Sequence, residues 1–114
     1  MEKEPIFENK ETPEQQLVRL LKEKGPEGPE YKELLNDWLK KEELKVRELE
    51  DEFAAMELNL KISLKCARIY FEAGYLDDAY ENFEAARMQA HHSGMKDLYD
   101  AIMKEMDEKN LLKK

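Results

Sequence analysis

The sequence predicts an all-α fold: an antiparallel helical bundle or helix-turn-helix array of four to five helices, with one long central helix. Three observations carry this prediction. Charged residues make up 40% of the 114-residue chain while Gly and Pro number only four each, a composition rich in helix formers and poor in breakers. Between Glu30 and Ala73 there is neither Gly nor Pro, and apolar residues recur at spacings of three and four. Most of the Gly and Pro residues fall at points where such helices would have to end. A chain of this length supports one domain with one modest core.

Residues 1–11 read as a flexible polar tail whose only apolar side chains are Ile6 and Phe7. Residues 12–110 form the helical domain. Thr12-Pro13-Glu14-Gln15 opens its first helix, because Thr12 can accept from the Gln15 amide, Pro13 suits the first helical position and Gln15 can reach back. Leu17, Val18, Leu20 and Leu21 make the apolar face, and Gly25-Pro26 stops the helix with a left-handed cap. Pro29 can open the next.

A single straight helix over the 44 residues 30–73 would run roughly 66 Å, against a radius of gyration of about 13 Å for a compact chain of this size. A break is therefore expected near Asn36-Asp37 or within Lys40 to Glu43, where the apolar stripe fails. The phase of Val46, Leu49, Phe53, Met56, Leu60, Ala67 and Tyr70 keeps residues 46–70 in one helix. Leu58, Ile62 and Ile69 lie off that stripe, so this helix is apolar on more than one side and should pack on both. Beyond Gly74, Asp77 and Asp78 favour a helix start through the dipole. That helix should reach about Ala90, burying Ala79, Phe83, Ala86 and Met88, and His91-His92-Ser93-Gly94 should form the next turn. Leu98, Ile102 and Met106 mark a last helix ending near Asn110, with 111–114 as a frayed end.

Ala67, Tyr70, Gly74, Ala79, Phe83 and Ala86, with Leu76-Asp77-Asp78-Ala79 leading into the second helix, form a pattern of small, aromatic and turn residues. Over about residues 60–93 this resembles one tetratricopeptide repeat. Ser63 and Cys66 depart from the family pattern, which has large apolar residues there, and so does His91, which stands where a proline is usual. One period of about 34 residues later, Ala101 aligns with Ala67 but Lys104 falls in the place of Tyr70, so only one unit is present. The resemblance implies a scaffold that binds a protein or peptide on the first helix of the pair. A lone unit needs flanking helices, or a second chain, to complete its burial.

On that first helix Lys61, Lys65 and Arg68 share a surface stripe at spacings of four and three, with Phe71 beside them. In a chain of net charge −8 this stripe is the candidate receptor for an acidic segment or a C-terminal carboxylate. The plain alternative is a solvated helix face. The expected partner is a protein or peptide, and a homodimer pairing the Val46–Tyr70 stripe with its own copy is the alternative. The acidic balance disfavours nucleic acid and anionic membranes. Trp38, among Leu34, Leu35 and Leu39, either anchors such an interface or packs on the first helix.

No enzyme activity, metal or cofactor is expected. There is no glycine-rich phosphate loop, and no histidine is spaced to activate Cys66. Cys66 is the single cysteine, which excludes an intramolecular disulfide or a cysteine-based zinc site and suits a cytoplasmic setting. No leader-like or membrane-length apolar run is seen. His91 and His92 read as residues near a helix C-terminus; a weaker reading makes them a metal-responsive sensor.

Overall fold

Five helices make up the fold in the computed structural model of the chain, which describes residues 11–112. They are α1 (Pro13–Lys24), α2 (Pro29–Arg47), α3 (Glu52–Ala73), α4 (Leu76–His92) and α5 (Lys96–Glu108). The expected tail lies outside the described residues except for Glu11, whose carboxylate accepts from Arg19 at 3.1 Å.

The predicted start of α1 is present in full. The Gln15 amide donates to Thr12 Oγ1 at 3.1 Å, and the Thr12 amide donates to Gln15 Oε1 at 2.9 Å. Gly25 closes α1 with φ +82° and ψ 173°, a positive φ but not the left-handed helical cap expected. Pro29 opens α2 as predicted.

The long Gly- and Pro-free stretch does break, but at residues 48–51 rather than at Asn36-Asp37 or Lys40–Glu43. The continuity predicted for Val46 to Tyr70 is therefore wrong. Asp51 has extended backbone and accepts from the Ala54 amide at 3.1 Å, the geometry of a helix N-cap, so α3 starts afresh at Glu52. A spacing of three and four survived the break because a short link can return the stripe to the same phase. Its members Leu49, Phe53 and Met56 are nonetheless exposed.

Helix α3 ends at Gly74, whose φ of +93° places it in the left-handed region. The Gly74 amide donates to Phe71 O at 3.1 Å and the Tyr75 amide to Tyr70 O at 2.9 Å. The same pair of bonds closes α4, from Gly94 to His91 and from Met95 to Ala90, and closes α5, from Asn110 to Asp107 and from Leu111 to Met106. Asn110, with φ +62°, does for α5 what glycine does for the other two. Three successive helices thus end in one backbone motif. It makes the residue after the left-handed one either the N-cap of the next helix (Tyr75, Met95) or an apolar side chain folded back on the core (Leu111).

Helix α3 is central, as its two-sided apolarity predicts. It packs on α1 and α2 on one side and on α4 on the other, and α4 carries α5. With about 3.6 residues per turn, positions 60, 64 and 67 share a face while 62 and 69 lie opposite. Leu60, Leu64 and Ala67 join Ala79, Phe83, Ala86, Ala90, Met95, Ile102 and Met106 in one cluster. Ile62 and Ile69 join Leu17, Leu21, Tyr31 and Trp38 in a second. The small residues Ala67, Ala79 and Ala86 are completely buried around Phe83, so the helices approach closely there. Some details differ from expectation. Met88 is exposed, His91 and His92 belong to α4 rather than to the turn, and Leu111 and Leu112 pack on the first cluster instead of fraying.

Candidate functional site

Between its two buried faces, α3 presents a third face to solvent, carrying Lys61, Lys65, Arg68 and Glu72. Lys65 and Arg68 form a ridge between two grooves. One, of about 410 Å³, is completed by Glu14, Gln15 and Val18 of α1 with Ile69 and Glu72 of α3. The other, of about 240 Å³, is completed by Leu98, Ala101, Ile102 and Glu105 of α5 with Lys61 and Leu64 of α3. The backbones of α3 and α5 do not pack directly, so side chains alone bridge the second groove.

Each cation of the stripe has a carboxylate beside it. Lys61 Nζ lies 3.3 Å from Glu57, one turn back on α3. Lys65 Nζ donates to Glu42 at 3.5 Å, a reach across to α2. Arg68 makes the strongest pair: Nε and Nη2 each donate to a different oxygen of Glu105 at 2.8 Å. The Glu105 bond raises the Arg68 pKa, and the Arg68 guanidinium, reinforced by Lys109 at 3.2 Å, holds the Glu105 carboxyl below its usual range.

These pairs decide what the face can do. An exposed ion pair contributes roughly 0.2–1 kcal/mol, so an incoming carboxylate can displace Glu57 from Lys61 at little cost. Replacing Glu105 at Arg68 requires an acceptor that offers two oxygens in one plane. Glu42 is different in kind, because only 5% of it is exposed while it faces Lys45 at 3.2 Å as well as Lys65. Removing Lys65 would leave a buried carboxylate one cation short.

Phe71 does not share the basic face. Its position follows Leu60, Leu64 and Ala67, and it packs partly buried against their cluster with Lys109 Nζ 5.1 Å from the ring centroid. The structure therefore brings Lys61, Lys65 and Arg68 together and assigns Phe71 to the core side. Trp38 is buried in the α1–α2–α3 cluster, and its indole N–H donates to Glu14 at 3.2 Å. It packs within this chain.

Glu42, Glu105 and Lys109 were not legible as members of this face. The one trace was at Glu42, where a charge interrupts an apolar stripe. Among the described residues no group of three or more His, Cys, Asp or Glu side chains could hold a metal ion. Burial, with a smaller push from Glu42, raises the Cys66 thiol to about 11, which makes it a poor nucleophile near neutral pH.

Comparison with protein-family models, curated protein sequences and solved structures finds no match to this chain. Among the described residues no helix is long and apolar enough to cross a membrane.

Proposed function

We propose that this chain is a non-enzymatic helical scaffold, of a tetratricopeptide-like kind, that binds an acidic protein segment or a peptide C-terminal carboxylate along α3. The observation that carries the reading is the ridge: Lys65 and Arg68 line two grooves at once, so a peptide lying in either meets both cations. Helix order supports it. Residues of α1, α3 and α5 line these grooves, which are the first helices of successive pairs if the chain is read as stacked hairpins. Val18, Ile69 and Leu98 add apolar floor for a side chain next to the bound carboxylate. The reading needs no cofactor, and it places the protein in the cytoplasm, where one free cysteine is at ease.

Binding of labelled synthetic peptides to the full chain tests this directly. A Glu-rich peptide with a free C-terminus should bind, a Lys-rich one should not, and affinity should fall with added salt. Charge reversal at both Lys65 and Arg68 should abolish binding; because it also strands buried Glu42, Lys61→Gln with Arg68→Gln is the folded control, weakening binding with helicity and Trp38 fluorescence unchanged. Arg68→Gln alone should weaken binding about tenfold. Unaltered binding in the double reversal would sink the proposal.

A further inference from the structure

Six large apolar side chains are exposed among the described residues, and four of them, Leu44, Leu49, Phe53 and Met56, fall within thirteen residues around the α2–α3 link. Phe53 is 52% exposed and Leu44 53%. One of the four, Phe53, stands in a cleft. Phe53 and Glu57 form one wall of a cleft of about 390 Å³ against Gly94, Met95, Lys96, Asp97 and Leu98 at the α4–α5 turn, where Lys96 pairs with Asp100. Phe53 continues the face of Leu60, Leu64 and Ala67 toward the N-terminus of α3, past the end of α4, so its apolar stripe outruns the helices that cover it.

The charges around this patch are predominantly acidic. From Glu43 to Glu57 there are six carboxylates and two cations. Asp51 caps α3 and Glu57 meets Lys61, which accounts for two of the six. Glu43, Glu48, Glu50 and Glu52 are exposed and have no cation within ion-pair distance among the described residues. The helix dipole gives Glu52 a reason to be here, but not Glu43, Glu48 or Glu50. A second copy of the chain would bring an equally acidic rim against this one, and like charges at close range oppose that pairing.

We infer that Leu44, Leu49, Phe53 and Met56 form a second docking surface, for an amphipathic segment whose apolar side is flanked by Lys and Arg. A bulky apolar side chain of the segment enters the cleft beside Phe53 and Leu98, while its cations meet Glu43, Glu48, Glu50 and Glu52. The surface borders the α3–α5 groove, since Leu98 lines both, and is separate from the α1–α3 groove. Phe53 and Arg68 are fifteen positions apart on α3, roughly 22 Å along the axis, so a segment here and a peptide in the α1–α3 groove can be held together. A scaffold with a basic site and an acidic-apolar site on one rigid helix can hold two dissimilar partners at a set distance.

The test uses the full chain and a synthetic peptide of Leu and Lys, patterned as an amphipathic helix about five turns long. A peptide of the same composition with its Leu residues dispersed is the control for charge alone. The patterned peptide should bind one to one and at least about tenfold tighter than the control. Phe53→Ala combined with Leu49→Ala should remove most of that difference, as should Glu48→Lys with Glu52→Lys. Met88→Ala, at an exposed apolar site on α4, and Arg68→Gln should leave it intact. Equal binding of the two peptides, or indifference to the Phe53 and Leu49 changes, would overturn the assignment. So would a dimer of the free chain that Phe53→Ala dissolves, since the occupant would then be a second copy.

Discussion

Cys66 shows how a side chain's surroundings set its chemistry. It lies on the α1–α2 side of α3, half-buried against that cluster, and Glu42 stands close enough to add its negative charge to the effect of burial. Both favour the neutral thiol, so its pKa rises from 9.0 to about 11. The unfolded chain then releases this proton more readily than the folded one. The stabilisation is complete below about pH 9 and is lost as pH climbs through 11. Tyr31, also raised by burial, adds to the same alkaline loss. Iodoacetamide should therefore alkylate the native protein much more slowly at pH 8 than the urea-unfolded chain, with the native rate rising up to about pH 11. Equal native and unfolded rates at pH 8 would show that the thiol is not held as described.

At the scale of elements, the α2–α3 break is the instructive case. Glu42 interrupts the apolar stripe inside Lys40–Glu43, one of the two stretches where a break is expected. It is instead a buried carboxylate held between Lys45 and Lys65, inside an unbroken α2. The true break rests on Asp51, one carboxylate in a run of four around it, and only its extended backbone and its bond to the Ala54 amide set it apart. Asp51→Ala should cost about 1 kcal/mol in urea unfolding, the usual loss for a helix cap, whereas Glu50→Ala beside it should be nearly neutral. A similar loss at both positions would mean that local charge, not capping, starts α3. By contrast, the ends of α1 and α3 and the start of α4 were legible, since Gly25, Gly74 and Asp77-Asp78 act within a few residues of themselves.

Across the whole molecule, α3 is the shared wall of two cores. The cluster around Phe83 and the cluster around Trp38 have no buried residue in common, yet both depend on one helix. Loss of either should therefore unmake the other. Phe83 is completely buried, so Phe83→Ala should destabilise the chain by about 3–5 kcal/mol. In urea, Trp38 fluorescence, which reports the α1–α2 side, should shift to lower midpoint together with far-UV circular dichroism, although Phe83 belongs to the other cluster. A Trp38 transition that kept its original midpoint would mean two independently folding halves.

The helical class, a count of four to five helices, the central place of α3 and three cations sharing one of its faces can all be read along the chain. Those features come from periodicity and local capping, which act over one or two turns of chain. Where α2 gives way to α3, and which charges confront each other, emerged from the packing of the helices. It also put Phe71 on the core side and left Phe53 uncovered. Arg68 and Glu105 are 37 residues apart, and Glu42 and Lys65 are 23. No short-range rule links such pairs, because their meeting is fixed by how the helices stack and not by anything either side chain does alone.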